Sequence, residues 1–245
     1  MAEVRGQAAE ATPGPAIALV IFDCDGVLVD SEPLAVRVLC DTLAAHHGIT
    51  VPLDAAYRDF LGRSLGAICA TLQTDYGLDI APDELAEMRH ALYARYRQSL
   101  KPIPNVVSAL ERLQTRICVA SSSQLERIRL SLELTGLYDR FAPDIFSAGM
   151  VEKGKPAPDL FLYAARQMGV APGRCLVIED SPAGIVAAKA AGMAVFAFTG
   201  GSHVGPAGLA PRVAELAPDA IFDDMQTLPD LLSSLENGKT IGPRA

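Results

Sequence analysis

Near its start the chain reads Ala16-Ile17-Ala18-Leu19-Val20-Ile21-Phe22-Asp23-Cys24-Asp25-Gly26-Val27-Leu28-Val29-Asp30-Ser31. The apolar run 16–22 has the length and β-branching of a buried strand. It ends abruptly in two aspartates one residue apart, followed by glycine. Ionised and close together, Asp23 and Asp25 repel, and each raises the other's pKa unless a cation or a proton settles the conflict. Such a pair at the mouth of a strand suits a nucleophile, a divalent metal ion and a proton shuttle. Cys24 sits between them, and the alternation of a strand turns its side chain the opposite way. A free thiol there behaves as a small buried hydrophobe.

Four more apolar runs read as buried strands: Arg116–Ala120, Ile145–Ser147, Arg174–Ile178 and Ala194–Phe198. The segments between the later ones read as helices. Gln124–Leu134 carries Leu125, Ile128 and Leu132 at near-helical spacing and stops at Gly136; Asp159–Met168 stops at Gly169. Ser181 caps a third helix, with Pro182 at its first position and Gly192 at its end. Strands alternating with helices predict a doubly wound parallel α/β sheet, covered on both faces, with ligands at the carboxyl ends of the strands.

One interval breaks the alternation. Residues 31–100 hold no convincing strand but four amphipathic segments, Pro33–Ala45, Leu53–Phe60, Leu65–Tyr76 and Pro82–Leu100. They predict a helical domain inserted after the first strand. Lys101-Pro102-Ile103-Pro104 is a stiff return into the core, and the two short connections to the insertion could act as a hinge. The expected division is a core of 16–30 and 101–236, an insertion of 31–100, and flexible ends at 1–15 and 237–245.

The chain has 245 residues, half of them hydrophobic, with a formal net charge of −8. Its scattered Lys and Arg form no basic stripe, which argues against nucleic acid as a partner. An anionic substrate must then be held by a metal ion, a lysine and helix N-termini. Five cysteines without C-x-x-C spacing predict no disulfide framework and a reducing compartment. The sequence offers neither a signal-peptide pattern nor an apolar run long enough for a transmembrane helix, so the expectation is a cytoplasmic chain without membrane contact, monomeric or a small homo-oligomer.

The D-x-D-G-V-L-V-D-S-E run resembles the first motif of the haloacid dehalogenase (HAD) superfamily, in its β-phosphoglucomutase-like and sugar-phosphate phosphatase branch. Val119-Ala120-Ser121-Ser122-Ser123 resembles the second motif, Gly154-Lys155-Pro156-Ala157-Pro158-Asp159 the third, and Val177-Ile178-Glu179-Asp180-Ser181-Pro182-Ala183-Gly184 the fourth. They stand in the family's order and span most of residues 16–200. The resemblance implies a Rossmann-like core with the insertion as a cap, and a Mg²⁺-dependent phosphatase acting on a small phosphate ester. It implies Asp23 as the nucleophile that forms an aspartyl-phosphate, and Asp25 as the acid and base. Ser121, with Ser122 beside it, would receive phosphate oxygens, and Lys155 would balance the charge on Asp23 and the phosphoryl group. The context K-P-x-P-D selects Lys155 over Lys153. Asp23, Asp180 and the main-chain carbonyl of Asp25 would ligate Mg²⁺, with Glu179 a further ligand or an outer-shell partner.

Gly62 and Arg63, in Leu61-Gly62-Arg63-Ser64-Leu65-Gly66, are the candidates for reading the leaving group from the cap. Leu65 stands where the phosphoglucomutases carry an arginine for the second phosphate, which favours a phosphatase over a mutase. Asp25 and Asp180 argue against a dehalogenase, whose halide leaves as an anion. The helical insertion and the second aspartate argue against a receiver-type signalling domain. His203 reads as an ordinary loop residue, and His46 and His47 as a helix C-terminus before Gly48.

Overall fold

The computed structural model describes residues 17–61 and 65–238. After β1 (Leu19–Phe22) come four helices: α1 (Glu32–His47), α2 (Leu53–Phe60), α3 (Leu65–Tyr76) and α4 (Pro82–Ser99). The chain continues through α5 (Val106–Arg112), β2 (Arg116–Ser121), α6 (Leu125–Leu134), α7 (Tyr138–Phe141) and β3 (Ile145–Ser147). It ends with α8 (Asp159–Gln167), β4 (Cys175–Glu179), α9 (Pro182–Ala190), β5 (Ala194–Phe198), α10 (Leu209–Glu215), β6 (Ala220–Phe222) and α11 (Leu228–Glu236).

All strand pairs are parallel, in the order β3-β2-β1-β4-β5-β6. This is the doubly wound arrangement, and the direction of winding reverses beside β1, where such sheets bind ligands. β1 lies between β2 and β4, so its backbone is paired on both sides. Its side chains are buried on both faces, which is why the run is continuously apolar rather than alternating. Val20 and Phe22 join one core layer, with Val106 and Leu110 of α5, Ile128 and Leu132 of α6, Phe141 of α7 and Leu231 and Leu232 of α11. Leu19 and Ile21 join the other, with Leu160 and Phe161 of α8, Ile185 of α9 and Val213 of α10.

The helices α1–α4 form a third apolar cluster of their own, around Val36, Leu39, Leu43, Tyr57, Phe60 and Leu72. The two connections to them run side by side. Asp30 N–H donates to Lys101 O at 3.0 Å, and Ile103 N–H donates to Leu28 O at 2.9 Å. His47 at the end of α1 reaches Glu84 of α4 at 2.6 Å, so this histidine joins two helices besides closing one.

Several elements depart from the sequence expectation. β6 is a sixth strand absent from the sequence expectation, whereas the equally short edge strand β3 has its expected bounds. α5, α7, α10 and α11 are likewise unanticipated, being short helices set by the layers they cover. Among the described residues no helix is long and apolar enough to cross a membrane. Replacing Ile21 by Ala should cost about 2–5 kcal/mol, because it removes a fully buried side chain from the central strand. A urea titration checks this; a loss below about 1 kcal/mol would show that β1 is not the packing centre.

Candidate active site

The carboxyl ends of β1, β2 and β4, with the loop between β3 and α8, deliver the four sequence motifs to one place. Asp23 follows β1, Ser121 ends β2, Glu179 ends β4 and Asp180 follows it. All four are buried, as is Asp25. Lys155 arrives from the loop between β3 and α8, with a side chain only 4% exposed. Its Nζ donates to Asp23 Oδ1 at 2.6 Å, to Glu179 Oε1 at 2.7 Å and to the Ala120 carbonyl at 3.0 Å. The ammonium lies 4.8 Å from the Phe161 ring centroid, and this aromatic face adds to its hold. Burial opposes its charge, but Asp23 and Glu179 outweigh that and raise its pKa. Lys153, two residues earlier, is exposed.

Glu179 is committed within the protein. Its second oxygen accepts from the backbone N–H groups of Asp180 and Ser181 and from the Ser181 hydroxyl, at 2.8–3.0 Å. A Cβ added at Gly184, in the first turn of α9, would stand 1.8 Å from Glu179 Oε1. Glycine there is what lets α9 start against this carboxylate.

Asp25 is gripped by three groups. Ser31 Oγ donates to its Oδ1 at 2.5 Å, Arg127 donates to the same oxygen at 2.8 Å, and Ser123 Oγ donates to Oδ2 at 2.6 Å. Burial alone would raise its pKa; Arg127 and the two hydroxyls overcome that and hold it below the usual carboxylate range. Asp23 goes the other way. Burial raises it well above that range, Lys155 opposes, and Glu179, Asp180 and Asp25 add to the rise. Asp180 is also raised, chiefly by burial, against the lowering effect of His203.

His203 corrects the expectation of an ordinary loop residue. It is fully buried, and its Nε2 lies 2.8 Å from Asp180 Oδ2, a close polar contact off the line of an ideal hydrogen bond. The neighbouring glycines make room for it: a Cβ on Gly201 would come within 2.5 Å of the imidazole, and one on Gly26 within 2.8 Å. Gly26 also has a φ of +83° and bears the Asp180 carboxylate directly on its backbone.

The three serines divide their work. Ser121 is buried and its hydroxyl accepts from the Ser123 N–H at 3.1 Å; Ser122 lines the open space above; Ser123 holds Asp25. Gly62 and Arg63, and the side chain of Leu65, lie outside the described residues. Above the charged cluster is a cavity of about 800 Å³. Its floor is formed by Asp23, Asp25, Ser122 and Lys155, and its roof by α1, α2 and α4 through Leu39, Tyr57 and Leu92. Arg127 and Ser31 have no role in the sequence reading, and Ser123 enters it only as an alternative to Ser121 for the phosphate. Ser31 stands inside the opening motif, but Arg127 had no signal, because only the docking of α6 brings it to Asp25.

Four buried carboxylates, Asp23, Asp25, Glu179 and Asp180, are thus met by two fixed cations in direct contact, Lys155 and Arg127. Among the described residues no three His, Cys, Asp or Glu side chains close around an ion as a cage. The acid excess and the all-oxygen donors fit a hard dication that takes few protein ligands and keeps several waters.

A parallel sheet with this charged crevice at its switch point, roofed by helices inserted after the first strand, is the α/β architecture of a HAD-like hydrolase. The chain belongs to the haloacid dehalogenase-like hydrolases, whose family model matches residues 17–192, and within them it is a phosphoric monoester hydrolase. It is 30% identical to the 6-phosphogluconate phosphatase of Escherichia coli, over 88% of this chain and 94% of that one. It is 32% identical to the fructose-1-phosphate phosphatase of the same organism, over 71% and 92%. Among solved structures it resembles a conserved haloacid dehalogenase-like protein of Agrobacterium tumefaciens, with a TM-score of 0.77, 35% identity and coverage of 90% and 99%.

Gly184→Ala should push the Glu179 carboxylate off Lys155, costing about 1–3 kcal/mol and most of the turnover per folded molecule. The urea midpoint and an assay normalised to folded protein test this; unchanged values would mean that Glu179 has room to move.

Proposed function

We propose that this enzyme hydrolyses a small phosphorylated sugar, polyol or sugar acid through an aspartyl-phosphate on Asp23. The observation that carries the reading is the pairing of Lys155 with Asp23 and Glu179 on the floor of the cavity, with a second carboxylate, Asp25, two residues from the nucleophile. The sugar-phosphate class is supported by the two similar phosphatases of Escherichia coli.

In the first half, an Asp23 carboxylate oxygen attacks phosphorus in line with the ester oxygen. The P–O bond to the leaving group breaks, and Asp25 gives that oxygen its proton. In the second half, Asp25 takes a proton from a water that attacks phosphorus. The acyl-phosphate bond breaks, and phosphate leaves with Asp23 restored. The net change is ester plus water to alcohol plus phosphate. Lys155 favours the ionised form of Asp23 against burial and neutralises charge on the phosphoryl oxygens. Ser121, Ser122 and nearby backbone N–H groups receive those oxygens, while Glu179 serves as a positioning residue for Lys155. Asp23, Asp180 and the main-chain carbonyl of Asp25 would hold Mg²⁺, which when bound supplies the positive charge that the cluster lacks. His203 orients Asp180.

In this reading residues 16–30 and 101–236 are the catalytic core and 31–100 the cap that excludes water. The separate apolar cluster of α1–α4 and their position over the cavity support that division. The five free cysteines support a reducing, cytoplasmic setting.

Asp23→Asn should abolish turnover, a fall of at least about 10⁴-fold, with the thermal unfolding transition retained; measurable steady turnover would remove Asp23 from its role. EDTA should stop phosphate release and added Mg²⁺ should restore it; full activity in chelator would sink the metal assignment. Substrate class is tested by screening sugar, polyol and sugar-acid phosphates for released phosphate, with conversion of β-glucose 1-phosphate to glucose 6-phosphate scored in parallel. Isomerisation outrunning release would make the enzyme a mutase.

A further inference from the structure

Asp25 is held by groups of two origins. Ser123 belongs to the loop between β2 and α6, within the core. Ser31 stands where the chain leaves the core for α1, and Arg127 projects from the first turn of α6. Arg127 does more than pair with Asp25. Its guanidinium carbon lies 5.5 Å from the ring centroid of Tyr96. Tyr96 is in the last turn of α4, is 1% exposed, and is among the largest fully buried side chains of the protein. α4 packs on α6 at this point, so an aromatic face from the insertion backs a guanidinium from the core, and the guanidinium grips the carboxylate.

We propose that Arg127 is a positioning residue for Asp25, and that through Tyr96 it ties the orientation of that carboxylate to the seating of the helical insertion. This rests on the assignment of Asp25 as acid and base. The guanidinium suits the task because it is planar: one face can lie on an aromatic ring while an edge N–H points at a carboxylate. A lysine at the same position would keep the charge and lose that division of labour. Two of the three grips on Asp25 thus depend on the insertion, Ser31 through the connection to α1 and Arg127 through Tyr96. Seating of α4 then decides whether the carboxylate is presented to the ester oxygen. Arg127 lines the same cavity, and in this proposal its effect passes through Asp25.

The test compares p-nitrophenyl phosphate with phenyl phosphate on the full-length Mg²⁺-loaded enzyme. p-Nitrophenolate leaves with little need of a proton, whereas phenolate needs one, and kcat/KM reports only the steps up to formation of the aspartyl-phosphate. For Arg127→Met and Tyr96→Leu the ratio of the two kcat/KM values should rise roughly 10- to 100-fold in favour of p-nitrophenyl phosphate, with Arg127→Lys in between. This ratio is a property of the folded molecules alone, so partial unfolding lowers both values and leaves it unchanged. Asp25→Asn is measured alongside. If it raises the ratio and neither Arg127→Met nor Tyr96→Leu does, the positioning role is wrong and the acid assignment stands. If Asp25→Asn itself leaves the ratio unchanged, the acid assignment fails, and the proposal with it.

Discussion

The salt bridge from Lys155 to Asp23 and Glu179 is the contact on which the rest of the site depends. It is buried, so its charges are not softened by water. A buried pair of this kind adds little net stability, because desolvation consumes most of the Coulombic gain. Its value is in placement. Removing the ammonium would leave two uncompensated carboxylates beside Asp180 and Asp25. The β3–α8 loop, the strict glycine at 184 and the aromatic face of Phe161 all serve to keep that ammonium where it is.

The fold supplies what this arrangement needs. Parallel strands end at a common level, so residues far apart in the chain share one rim. The reversal of winding beside β1 opens that rim to a cavity instead of covering it with a crossover. The price of crowding acids there is met by different partners for each: Lys155 for Asp23 and Glu179, Arg127 with two serines for Asp25, His203 for Asp180. The opposite pKa directions of Asp23 and Asp25 follow from that partition. Two aspartates one residue apart are thus given different surroundings, one beside a lysine and a second acid, the other beside an arginine and two hydroxyls.

Some of this was legible in the chain and some was not. β1, β2, β4 and β5 announced themselves because strands buried on both faces are continuous apolar runs. The insertion was legible from four amphipathic segments where a crossover should be, and α2 and α3 have the predicted bounds. Lys155 was separated from Lys153 by its proline-rich context, and the structure buries the former and exposes the latter. β6 and the short helices α5, α7, α10 and α11 were not anticipated; they follow no motif and cover the core layers at the sheet's edge and faces. His203 escaped although its signal was present: Gly200-Gly201 beside it, and Gly26 across from it, leave the space that an imidazole fills.

The sequence by itself determined the sheet, the place of the insertion and the identity of the acids, lysine and serines at the strand ends. These follow from local patterns: apolar runs, caps and motifs whose spacing survives in one dimension. Only the tertiary structure decided which partner each acid receives. Arg127 on Asp25, Tyr96 on Arg127 and His203 on Asp180 join residues 102, 31 and 23 positions apart. No periodicity records such pairings, because they come from the docking of whole helices and loops, and the energy of a buried charge depends on what surrounds it in space.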